Sequence, residues 1–138
     1  MGGFNIMLGR KLIVVDDQLG MRMLIKEVFS DLGFNVAEAK SFGEAVNIAA
    51  SFNPDVALID MKLGIDSDYD GVDVIEALKA INPEVIFIII TADIECESIK
   101  RAFTKGVFCC LGKPFDIDFL IHLVNKLYDF EETKTSRL

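Results

Sequence analysis

Asp16, Asp17, Asp60, Thr91 and Lys113 are the residues of this chain whose types combine into a chemistry. Each stands at or just beyond the end of a short apolar run. Carboxylates drawn close together repel one another, and a hard divalent cation with oxygen ligands relieves that repulsion. Magnesium suits one or two carboxylates completed by waters and phosphate oxygens. A carboxylate left partly free beside such an ion is a nucleophile toward phosphorus. The Lys113 ammonium would neutralise charge on phosphoryl oxygens, and the Thr91 hydroxyl could donate a hydrogen bond to another. Phosphoryl transfer needs little beyond such positioning and charge stabilisation.

Taken singly, each residue has a plainer reading. Asp16 and Asp17 could be a helix N-cap pair. Asp60 could be a turn residue after a strand, Thr91 an ordinary strand end, and Lys113-Pro114 a turn. Only the elements that carry them decide between the two readings.

Those elements are legible from hydrophobic spacing. Leu12–Val15, Val56–Ile59, Val85–Ile90 and Val107–Leu111 are continuous apolar runs, the pattern of parallel strands covered on both faces. Asn35–Ala39, after the Gly33 break, is a weaker fifth strand. Met21, Leu24, Ile25, Val28, Phe29 and Leu32 fall on one helical face. Phe42, Ala45, Val46, Ala49 and Ala50 repeat that spacing behind a Ser41 cap with Glu44 three residues on. Val74, Ile75, Leu78 and Ile81 form a third helix, stopped before Pro83. Ile117, Leu120, Ile121, Val124, Leu127 and Tyr128 form the last, opened by Asp116 or Pro114. Between Ile94 and Thr104 the spacing is looser, and a fourth helix is expected there.

The sum is an α/β chain, (βα)5: a doubly wound, five-stranded parallel sheet of flavodoxin-like order 2-1-3-4-5. In such sheets ligands bind beyond the carboxyl ends of the strands, where the winding reverses. Asp16 and Asp17 follow the first strand, Asp60 ends the third, Thr91 the fourth, and Lys113 follows the fifth. One sheet edge is therefore predicted to gather them all.

Composition narrows the function. The 138 residues make one domain, 51% hydrophobic and 26% charged, which excludes a disordered chain. No apolar run approaches the roughly 18 residues of a membrane span. The opening residues carry no basic region ahead of an apolar stretch, so a secretory signal is not expected. A net charge of −8 opposes binding to a phosphate-coated nucleic acid. Cys96, Cys109 and Cys110 form no disulfide framework, and with His122 as the single histidine they lack the pattern of a zinc site. Reduced cysteines in a cytoplasmic protein are the expectation. Asp66, Asp68 and Asp70 superficially resemble a calcium loop, but the acid required six residues after Gly71 is Ala77, so a solvated acidic loop is expected.

The strings IVVDDQ, LIDMK, IIITA and LGKPF, in this order at these strand ends, resemble the receiver domain of two-component response regulators. The resemblance implies Asp60 as phospho-acceptor and a magnesium ion held by Asp16, Asp17, Asp60 and the backbone carbonyl of Lys62. It also implies Thr91 as the switch hydroxyl, Lys113 as the family's lysine, and a cis bond to Pro114. Residues 10–129 would be the receiver domain, 1–9 a leader and 130–138 a polar tail. The strings DDQ-x-G-x-R-x-L-x-x-EVF, DMK and KPFDID are most like the stand-alone receivers of sporulation phosphorelays. In that case Gln18, Gly20, Met21 and Leu24 would touch a partner's helices.

Such a protein takes its phosphoryl group from a histidine kinase or phosphotransferase and passes it to, or signals to, a downstream protein target. It would catalyse its own phosphorylation and its slow dephosphorylation without being a conventional enzyme. A monomer or weak dimer is expected, with no nucleic acid and no membrane. Two positions depart from the family. Cys110 occupies the site three residues before Lys113 where receivers usually carry an aromatic, and the Lys62–Gly71 loop is long and lacks the common proline. The rival readings are a receiver fragment of a larger regulator or hybrid kinase, and a magnesium phosphatase working through an aspartyl-phosphate. The phosphatase wants an acid two residues after the nucleophile, and that place is Lys62.

Overall fold

The computed structural model describes residues 9–64, 68–94 and 97–136, with side chains as far as Tyr128. Strands and helices alternate: β1 Lys11–Val15, α1 Leu19–Asp31, β2 Asn35–Ala39, α2 Phe42–Phe52, β3 Val56–Ile59, α3 Gly71–Ile81, β4 Ile86–Thr91, α4 Glu97–Phe103, β5 Cys109–Gly112 and α5 Ile117–Ser136. All neighbouring strands run parallel in the order β2-β1-β3-β4-β5, as expected. Among the described residues no helix is long and apolar enough to cross a membrane.

Strand side chains alternate between the two faces, and each face buries its own set. Ile13, Val15, Ala57, Ile59, Phe87 and Ile89 pack with residues of α2, α3 and α4, among them Ala45, Ala49, Ile75, Leu78 and Ala102. Leu12, Val14, Leu58, Ile88 and Ile90 pack with Ile25 and Phe29 of α1 and with Leu120, Val124 and Tyr128 of α5. Two buried faces require unbroken apolar strands, which is why the runs showed no polar alternation.

The helix ends follow local chemistry. Ser41 Oγ accepts the Glu44 N–H at 3.2 Å, while the Glu44 carboxylate reaches back to the Lys40 N–H at 3.0 Å, one residue beyond the usual reciprocal bond. Asp116 opens α5: its Oδ1 accepts the Asp118 N–H at 2.9 Å, and its carbonyl accepts from Phe119 and Leu120. Gly33, with φ 100°, supplies the left-handed turn that leads from α1 into β2.

Some boundaries moved. β4 begins at Ile86 because the Val85 N–H closes a turn onto the Asn82 carbonyl, and it runs on to Thr91, which pairs with Gly112. The paired residues of β5 begin at Cys109, although the Phe108 N–H already donates to Phe87. α4 is only 7 residues long, in keeping with its loose apolar spacing. The backbone of the polar tail remains helical through Ser136. Cys109 and Cys110 are half-buried and form no disulfide, whereas Cys96 and Asp66 lie outside the described residues. His122 is exposed.

Candidate functional site

The carboxyl ends of β1, β3, β4 and β5 meet as the topology requires. Asp16 directly follows β1 and is buried, Asp17 beside it is exposed, and Asp60 directly follows β3 and is buried. One oxygen from each lies within 4.8 Å of the others. Lys113 arrives just past β5, its N–H bonded to the Thr91 carbonyl at 2.7 Å. Its Nζ donates to Asp16 Oδ2 at 2.8 Å and Asp60 Oδ2 at 3.0 Å. The Lys113-Pro114 bond is cis. Thr91 is buried at the end of β4, where its Oγ1 accepts the Asp93 N–H at 3.4 Å. Lys62 is exposed, and its N–H donates to Asp60 Oδ1 at 3.2 Å. Asp17, Asp60, Lys62, Thr91 and Lys113 line a cleft of about 960 Å³ that extends past Asp73 to Ser98 and Arg101.

Burial and charge set the electrostatics. Burial pushes the Asp60 carboxyl above its ordinary range; the Lys113 hydrogen bond opposes this and the neighbouring Asp16 charge adds to it. For Lys113, burial acts to lower the pKa, but its hydrogen bonds to Asp16 and Asp60 outweigh that and leave it raised. Three carboxylates and one ammonium leave the cluster with two uncompensated negative charges, which one divalent cation would cancel. An octahedral ion with bonds of about 2.0–2.1 Å holds adjacent oxygens roughly 3 Å apart and opposite ones roughly 4.2 Å apart. The acidic cluster has the oxygen donors for such an ion, gathered within 4.8 Å of one another.

Several neighbours take part in the site in ways not read from the sequence, where Gln18 was expected only as a partner contact. Gln18 Oε1 is a third acceptor for Lys113 Nζ, at 3.2 Å. Arg22 is buried, its Nη1 donating to the Asp16 carbonyl at 2.8 Å and its Nε to Glu38 Oε1 at 3.0 Å. The signal for Arg22 was present: it shares helical spacing with Ile25 and Phe29, the two buried apolar residues of α1. Gly71 admits close packing, since a Cβ there would stand 2.8 Å from the Asp60 carbonyl oxygen and 2.9 Å from Met61 Cα.

Asp70 corrects the solvated-loop expectation. It is the N-cap of α3, with Oδ1 accepting from Val72 and Asp73 and the Asp73 side chain accepting the Asp70 N–H in return. Its Oδ2 also accepts from Ser98 Oγ at 3.2 Å and lies 3.6 Å from Arg101 Nη2. Asp68 is exposed.

Known proteins resemble this chain in sequence and fold. Residues 12–125 match the response regulator receiver domain family. The chain is 34% identical over 120 residues to sporulation initiation phosphotransferase F of Bacillus subtilis (strain 168), covering 87% of this chain and 94% of that protein. It is 30% identical over 113 residues to the DNA-binding transcriptional regulator NtrC of Escherichia coli (strain K12), covering 82% of this chain but only 24% of that longer one. A CheY-like receiver domain protein from Methanospirillum hungatei JF-1 shares the fold, with a TM-score of 0.83 at 21% identity and coverage of 91% and 98%. With the family matched over residues 12–125 and a relative 34% identical over most of both chains, the chain belongs to the response regulator receiver domains of two-component signalling.

Proposed function

We propose that Asp60 accepts a phosphoryl group from a phosphohistidine, in a magnesium-dependent reaction, and that the phosphorylated chain relays or signals that state to another protein. The observation that carries this reading is the cluster of Asp16, Asp17 and Asp60 with Lys113 bridging two of them.

Asp16, Asp17, Asp60 and the Lys62 carbonyl would hold the ion. When bound, it supplies charge neutralisation to the transferring phosphoryl oxygens. An Asp60 oxygen attacks phosphorus, the bond to the histidine nitrogen breaks, and the imidazole leaves with its electron pair and takes up a proton. Lys113 and Thr91 contribute an ammonium and a hydroxyl to the phosphoryl oxygens. Slow attack of water on the same phosphorus would reset the protein.

The partner in phosphotransfer is a histidine kinase or a phosphotransferase histidine. Leu19, Met23 and Leu24 of α1 are large apolar side chains, 59%, 59% and 40% exposed, on the element that follows the Asp16–Asp17 turn. With Gln18 and Gly20 they offer a surface for a partner's helices.

The test is incubation with acetyl phosphate, read by intact mass. A gain of one phosphoryl group, absent in Asp60→Asn and absent with chelator, is the expected result. Labelling that survives Asp60→Asn would move the acceptor elsewhere.

A further inference from the structure

A buried guanidinium stands beside the acidic cluster without a part in the chemistry above. The Arg22 side chain is 11% exposed and lies on the sheet-facing side of α1 with Ile25 and Phe29. Such a charge is costly to bury unless its donors are engaged. Here Nη1 donates to the Asp16 carbonyl at 2.8 Å and Nε to Glu38 Oε1 at 3.0 Å. Glu38, on β2, faces Lys26 Nζ with its other oxygen at 3.6 Å.

Besides the Lys113 bond to its Oδ2, Asp16 is held from three further directions. Its N–H donates to the Ala39 carbonyl at 3.0 Å, its Oδ1 accepts the Gln18 N–H at 2.8 Å, and its carbonyl accepts from Arg22. The Asp16 carbonyl belongs to the planar peptide that joins Asp16 to Asp17. Fixing that oxygen fixes the plane, and the plane sets the direction in which Asp17 leaves the backbone. Asp17 is the exposed member of the cluster, so it has the least packing of its own to orient it.

We propose that Arg22, anchored by Glu38, is a positioning residue for the cation site: it orients the Asp16–Asp17 peptide so that the Asp17 carboxylate faces Asp60. The proposal rests on the magnesium reading above. It opposes the simple charge argument, in which a nearby guanidinium repels a divalent cation and its removal tightens binding.

The experiment is a magnesium titration of the unphosphorylated protein, followed by calorimetry and by the backbone amide signals of Asp17 and Asp60. Arg22→Met is expected to weaken magnesium at least tenfold, the scale on which outer partners of metal ligands act, and to displace the Asp17 amide signal before any metal is added. Glu38→Gln, which keeps an acceptor for Nε, is expected to bind near the wild-type level. Should Arg22→Met not fold, Arg22→Lys keeps the charge but not the two-way fork, and at least threefold weaker binding is expected. Tighter binding in Arg22→Met, or unchanged affinity beside a lowered melting temperature, overturns the proposal. A wild-type protein indifferent to magnesium would instead sink the magnesium reading, and this inference with it.

Discussion

At the scale of single residues, Asp60 and Lys113 are expected to have opposite effects on stability. Asp60 has a raised pKa in the folded state, so the fold binds its proton more tightly than the unfolded chain does. Stability from this group is therefore fully present below pH 3.8 and is lost as pH rises through the folded value, leaving ionised Asp60 a net cost at neutral pH. In chelator, Asp60→Asn should raise the melting temperature at pH 7, with the gain vanishing as the pH falls. Lys113 also titrates higher in the folded state, so its contribution is present throughout the neutral range and is lost only as pH rises beyond 10.5. Lys113→Met leaves Asp16 and Asp60 facing each other without a countercharge. In denaturant titrations it should cost on the order of 3 kcal/mol, part of it recovered by magnesium. At Cys109, burial first and then the neighbouring Cys110 push the thiol up to about 11. At neutral pH its alkylation by iodoacetamide, followed by mass spectrometry, should run roughly a hundredfold slower than that of an unperturbed thiol.

At the scale of elements, the start of α3 is pressed onto the end of β3. Gly71→Ala would place a methyl group 2.8 Å from the Asp60 carbonyl oxygen, against backbone that cannot rotate away. The expected loss is about 1–3 kcal/mol, together with slower phosphorylation, because the displaced segment carries Asp60, the proposed acceptor. Equal stability and equal rate in that variant would contradict the packing argument. The strands and helices themselves were readable because both faces of the sheet are buried and the helical apolar stripes are regular. The acids, Thr91 and Lys113 were readable because strand ends define where a ligand can sit. Arg22, Gly71 and the bond from Lys113 to Gln18 were not, since they depend on distances across the fold: Lys113 to Gln18 spans 95 positions and Arg22 to Glu38 spans 16. Asp70 was misjudged because a run of acids suggested solvent, whereas Asp70 and Asp73 form a reciprocal cap. Sequence spacing shows which face a residue occupies, but not which backbone atom its side chain will reach.

At the scale of the whole molecule, the cation and the fold should be linked. An ion that binds only the folded state stabilises it by RT ln(1 + [Mg]/Kd), about 2.7 kcal/mol at a hundredfold excess over Kd. The melting temperature should climb with the logarithm of magnesium concentration, and Asp17→Asn should flatten that slope. A wild-type melting curve indifferent to magnesium would mean that the acids do not assemble a site. The sheet order has another consequence. Lys113 sits 97 positions from Asp16, just past the strand that leaves the ribosome last of the five. A nascent chain that has delivered β1, β2 and β3 already exposes every acid but lacks the cation that lets them coexist. If the cluster carries phosphate as proposed, that competence cannot outrun synthesis, and a polypeptide interrupted before its final strand would be signalling-silent rather than a stray sink for phosphoryl groups.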